Sequence, residues 1–93
     1  MGQFSTKDMN NGFHMKFDNG VTVSVQFGAG NYCANRDEPW NSKRPSPTAE
    51  IGMWTPDGRW ITDKVLGCGD DVQGWLTPND VLDAMRKAAD YEG

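Results

Sequence analysis

The segment Gly28-Ala-Gly-Asn-Tyr-Cys33 and the stretch after it hold the side chains best suited to chemistry in this chain. Two glycines leaving an apolar strand can turn backbone N–H groups toward an anion. Asn31, Tyr32, Asn35, Arg36, Trp40, Lys43 and Arg44 add amide donors, aromatic faces and positive charge. A nucleotide-sized anionic ligand needs that mixture, with a ring to stack on a base and a guanidinium for a phosphate. A protein–protein hot spot draws on the same residue types. So does a loop that packs Tyr32 and Trp40 over a sheet. The expected ligand-contacting set is Gly28, Gly30, Asn31, Tyr32, Asn35, Arg36, Trp40 and Arg44.

More specific chemistries fail on spacing. The third glycine of the dinucleotide fingerprint is absent, and no Gly-Lys-Ser/Thr follows. Asp70-Asp71 point different ways and have no third oxygen ligand at a matching spacing, so helix entry and solvation account for them. His14, Cys33 and Cys68 do not fall into a zinc pattern. A Cys–His nucleophile pair would need His14, which sits mid-strand among solvent-facing positions, and no serine motif stands beside an oxyanion-type glycine turn. No catalytic residue, no metal and no cofactor are expected.

The elements that position the loop follow from periodicity. Phe13, Met15 and Phe17 alternate with His14 and Lys16; Val21, Val23, Val25 and Phe27 alternate with Thr22, Ser24 and Gln26. Such alternation around Asp18-Asn19-Gly20 predicts a hairpin. Directly opposed residues share a face, so the three-residue loop wins over the two-residue one: it opposes Phe17 to Val21, Met15 to Val23 and Phe13 to Val25. A second hairpin is predicted from Ala49 to Thr62 around Pro56-Asp57-Gly58, with Thr55 opposite Arg59, Met53 opposite Ile61 and Trp54 opposite Trp60. The tryptophan pair falls on the less apolar face, as an open platform or, as expected, under a long loop. Thr77, Pro78 and Asp80 mark a helix start, and Val81, Leu82, Met85, Ala88 and Ala89 form its apolar stripe. That stripe should lie on the Val21–Val25 and Ile51–Met53 faces. Residues 28–47 and 63–76 read as irregular, and a long irregular loop in a small domain is either functional or hides an element.

Ninety-three residues, 37% hydrophobic and 24% charged, suit one globular domain and no second core. The expected organisation is a single domain over 1–93, with 1–11 a flexible arm or short edge segment and 12–93 the sheet plus helix. The fold class is α+β: a small antiparallel β-sheet built from two hairpins, in ββββα order, with one C-terminal amphipathic helix packed on a face. A net charge of −4 speaks against direct nucleic-acid binding. No apolar run approaches the ~20 residues of a membrane span, and Met1–Thr6 lacks the regions of a secretory signal. Two cysteines suit a reducing compartment, though one disulfide between Cys33 and Cys68 stays open.

Asn19-Gly-Val-Thr-Val-Ser-Val-Gln-Phe-Gly28, continuing to Cys33, resembles a group of short bacteriophage accessory proteins. The Ala49-Glu-Ile, Trp54…Asp57-Gly-Arg-Trp60 and Gly74-Trp-Leu-Thr-Pro78…Asp80-Val81 segments are similar too, so the likeness covers roughly residues 12 to 90. Asp37 to Ser46 looks particular to this chain. The resemblance implies a viral accessory product that works in the host bacterial cytoplasm, often by binding, and often against host defence.

Together these readings lead to a non-enzymatic binding protein that counteracts a bacterial defence. Its expected partner is a small nucleotide-type signal, sequestered by the glycine-rich loop in a homo-oligomer that walls off the pocket. The alternative is an acidic inhibitor that docks on a host defence nuclease or other nucleic-acid enzyme. A virion component or small enzyme ranks third, and neither membrane nor nucleic acid is an expected partner.

Overall fold

A computed structural model describes residues 2–6 and 11–93. Of the expected arm, residues 1 and 7–10 lie outside the described residues. Five antiparallel strands form one meander: β1 (Gln3–Thr6), β2 (Gly12–Lys16), β3 (Thr22–Gln26), β4 (Ala49–Trp54) and β5 (Val72–Leu76), paired in that order. A short helix α1 (Thr62–Leu66) joins β4 to β5, and α2 (Pro78–Ala89) follows. The α+β class stands, but the order is βββββ with a helix inserted before the last strand. Within the expected arm, Gln3–Thr6 form β1, at the edge of the sheet.

The first hairpin forms in the expected register, with Phe13 opposite Val25 and Met15 opposite Val23. Phe17 N–H donates to Val21 O at 2.9 Å, and Gly20 takes the left-handed conformation that closes the turn (φ 88°). β3 then pairs with β4 so that Val23 opposes Met53 and Val25 opposes Ile51. Alternation therefore stacks one apolar face across three strands.

The second reversal begins as expected and then departs. Thr55 N–H donates to Arg59 O, Gly58 is left-handed, and Trp54 bridges Trp60. Ile61 N–H donates to Met53 O at 3.0 Å, but the ladder ends there. Ile61 and Thr62 are both buried, but only Ile61 keeps a backbone bond to β4. Thr62 instead accepts from Met53 N–H with its hydroxyl (2.8 Å), and the chain enters α1. The fourth expected strand is thus replaced by a bridge and a helical turn, and β5 takes the place beside β4. Asp70 and Asp71 stand exposed at the entry to β5, not at a helix start.

Within this turn the Asp57 carboxylate accepts a hydrogen bond from the Thr55 hydroxyl. That bond, helped by the nearby Arg59, holds the Asp57 carboxyl below the usual aspartate range. A depressed folded-state value stabilises above the unfolded value and is lost as pH falls through the folded one. NMR titration should find Asp57 protonating below the usual aspartate range, and Thr55→Val should raise its midpoint toward that range. An unchanged midpoint in Thr55→Val would show the hydroxyl to be irrelevant.

β5 escapes pattern reading because it is bulged. Ala49 opposes Leu76 while Ile51 opposes Gln73, so β5 has one residue more than β4 over this interval. Trp75 carries the extra bend at φ 60°.

The core is Val21, Val23, Val25, Ala49, Ile51, Met53, Ile61 and Leu76, closed by Ala84 and Ala88 of α2. The helix starts with a reciprocal capping box: Thr77 accepts from Asp80 N–H, and the Asp80 carboxylate accepts from Thr77 N–H. It seats on β3, β4 and β5. Its packed stripe is Val81, Ala84, Met85 and Ala88, at 3.6-residue spacing. Leu82, 48% exposed, and Ala89 lie outside it, contrary to expectation. The small side chains at 84 and 88 face the sheet, while the larger ones flank them. Among the described residues no helix is long and apolar enough to cross a membrane.

Candidate functional site

The span 28–47 connects β3 to β4 without a regular element, as its composition suggested. It is nevertheless a folded loop. Gly28 N–H donates to Asn31 Oδ1 (3.0 Å) and Gly28 O accepts from Asn31 N–H (3.2 Å), closing a tight turn. Cys33 N–H donates to Asn31 O, Arg36 N–H to Cys33 O, and Gly30 N–H to Arg36 O. Cys33 is fully buried beneath these turns, with its sulfur 3.7 Å from Gly28 O. Both cysteines are free thiols.

The remaining amides are held from β4 and its approach. Glu50 Oε2 accepts from Tyr32 N–H at 3.0 Å and Oε1 lies 3.5 Å from Asn31 Nδ2. Ala34 N–H donates to Thr48 Oγ1 at 2.9 Å. The N–H groups of Gly28 and of residues 30 to 34 therefore all have partners inside the chain. The position where an external anion would sit against Tyr32 N–H is filled by the chain's own Glu50 carboxylate. Glycine here serves close packing and a left-handed turn at Gly30 (φ 82°) rather than an open phosphate cradle.

Seven of the eight expected site residues divide into two groups. Gly28, Asn35 and Arg44 line a small hollow of about 100 Å³, together with Asn11, Glu38 and Lys43. Asn35 is buried and donates to Arg44 O at 2.8 Å, so it braces the loop. Arg44 reaches Glu38 at 3.7 Å. Gly30, Tyr32, Arg36 and Trp40 face outward instead. The Arg36 guanidinium lies 4.5 Å from the Tyr32 ring centre, a cation–π stack. Trp40 is 64% exposed, and its ring edge passes over Gly30. Asn31 belongs to neither group and holds the turn.

Trp75, outside the expected set, joins the outward group. Its N–H donates to Tyr32 O at 2.8 Å, and its side chain is largely exposed. The neighbouring Gly74 is required by the same crossing: a Cβ there would stand 2.4 Å from Tyr32 Cβ. The Gly74-Trp75 pair is the sequence signal, and the bulge hides the strand that carries it.

A second aromatic group lies on the sheet face opposite α2. Trp54 and Trp60 meet edge to face at 5.1 Å, and His14 packs on Trp54 at 5.2 Å. Among the described residues no long loop covers Trp60, contrary to expectation: it is 48% exposed and stands over Gly52, while Trp54 is half-buried. Among the described residues no group of three or more His, Cys, Asp or Glu side chains is placed to hold a metal ion.

No family model, curated protein or solved structure matches this chain.

Proposed function

We propose that the chain is a non-enzymatic binding protein, an accessory product of the phage type, that docks on a host defence protein through the outer surface of the 28–47 loop. One observation carries this reading. Tyr32, stacked under Arg36, and Trp40 are exposed on a loop whose amides at Gly28 and residues 30 to 34 are already bonded within the chain, and Trp75 is exposed on the adjoining β5. Exposed aromatic and arginine side chains are the residue types that dominate binding energy at protein interfaces. A prebonded loop loses little conformational freedom on docking, which lowers the cost of association. The span carries three cations and two carboxylates, so the chain's net charge of −4 resides elsewhere. A partner surface with acidic groups around an apolar centre fits it.

The nucleotide reading rests on Gly28, Asn35, Lys43 and Arg44 around one hollow. At about 100 Å³ it falls below the roughly 300 Å³ at which small-molecule sites begin, so walls from a second copy would be needed. It ranks second.

Two measurements separate the readings. Affinity capture from bacterial lysate should return one stoichiometric protein, and Trp40→Ala or Arg36→Ala should weaken its binding by roughly 30-fold, the size of a hot-spot loss. Cyclic dinucleotides and ADP-ribose derivatives at millimolar concentration should leave the melting temperature in place. A rise of several degrees with such a ligand, abolished by Arg44→Ala, would reverse the ranking.

A further inference from the structure

We infer that the chain pairs with a second copy of itself along the free edge of β1, making one continuous sheet across a two-fold axis. Among the described residues β1 has a strand on one side alone, so its outer backbone donors and acceptors present a template for another strand. The two sheet edges are not equivalent. On β5 the ladder is broken by the bulge at Trp75, whose N–H is already taken by Tyr32 O. The β1 sequence, Gln3-Phe-Ser-Thr6, carries no charge, proline or bulge to discourage pairing.

The side chains point the same way. Phe4 opposes Met15, which opposes Val23 and then Met53, so Phe4 extends the core face of the sheet. The helical layer reaches it only with its last residue: α2 seats on β3, β4 and β5, and Ala89 borders the groove beside Phe4. Phe4 is left 75% exposed beside an open groove of about 390 Å³ floored by Met15 and Phe17. A second copy turned about an axis normal to the sheet satisfies both features at once. It supplies strand partners to the edge and, with Phe4 opposite its own counterpart, covers each ring with the other. A strand of four residues makes a small interface, so the dimer should form in the micromolar range.

Light scattering over about 5 to 500 µM should show the mass rising from 10.3 kDa toward twice that value. Phe4→Asp should stay monomeric, weakening association by roughly 100-fold, because two rings are lost per dimer. Its circular dichroism should remain that of the parent. Trp40→Ala should dimerise normally, which keeps this surface separate from the proposed partner-binding loop. Wild-type protein that stays monomeric throughout, or a folded Phe4→Asp that dimerises like the parent, would overturn the inference. Should Phe4→Asp fail to fold, Phe4→Cys decides. Opposed cysteines should cross-link on mild oxidation faster than those of a Leu82→Cys control, and equal rates would count against the pairing.

Discussion

Asn19→Ala should lower stability by about 2 kcal/mol and the melting temperature by roughly 10 °C, a large loss for a turn residue on the surface. The side chain joins the two ends of the fold. Its Nδ2 donates to the carbonyls of Ala88 (2.9 Å), Ala89 (3.1 Å) and Tyr91 (3.0 Å), where α2 runs out of intrahelical partners. Its Oδ1 accepts from Val21 N–H at 3.0 Å, fixing the start of β3. One amide thus caps the helix with its donor and closes the hairpin with its acceptor. Asn19→Asp separates the two roles. It keeps the acceptor but sets a carboxylate against the negative end of α2, so at neutral pH it should be at least as damaging as alanine. Urea unfolding of the three proteins tests the order. A stability change below about 0.5 kcal/mol in Asn19→Ala would show that water replaces the side chain at no cost.

What could be read beforehand was local. The β2–β3 register came from alternation within fifteen residues and a glycine that must be left-handed. The start of α2 came from Thr77, Pro78 and Asp80, three neighbours whose capping roles need no tertiary information. What could not be read was long-range or irregular. Asn19 looked like a turn residue and is one, but its bonds to α2 span some seventy positions. Glu50 looked like the polar partner in an alternating strand; nothing nearby says that its carboxylate reaches back to Tyr32. The glycine-rich loop therefore suggested free amides when they were already in use. β5 was missed because a bulge at Trp75 destroys the period that reveals strands. The second hairpin forms only as far as the Trp54–Trp60 bridge and the Ile61–Met53 bond, because the chain turns into α1 at Thr62. As for the expected site, its residue types were legible but its division was not. Composition gathers Gly28, Asn35 and Arg44 with Tyr32, Arg36 and Trp40, and only the path of the chain puts them in separate places.

Gly74→Val should detach the 28–47 loop from the sheet and destabilise the protein by about 3 kcal/mol. The loop crosses β5 at this glycine, where a Cβ would lie 2.4 Å from Tyr32 Cβ and 2.6 Å from Tyr32 O. Neither atom can swing aside as a side-chain tip would. Tyr32 N–H is tied to Glu50 and Tyr32 O to Trp75 N–H, so relief requires breaking one tie or moving β5. Once the crossing opens, the N–H groups of residues 31 to 34 lose their fixed partners. Hydrogen exchange should then accelerate at those amides while β2, β3 and α2 keep most of their protection, as expected for a local cooperative unit. Glu50→Ala offers the milder test: it removes the acceptor without adding bulk, freeing the Tyr32 amide and leaving Gly74 in place. If partner binding depends on a loop held in advance, both variants should weaken it although neither removes an exposed ring. A Gly74→Val protein with native exchange rates at 31 to 34 would mean that the crossing accommodates a side chain. Glu50→Ala with unchanged affinity would mean that the rings bind without needing the loop's internal bonds.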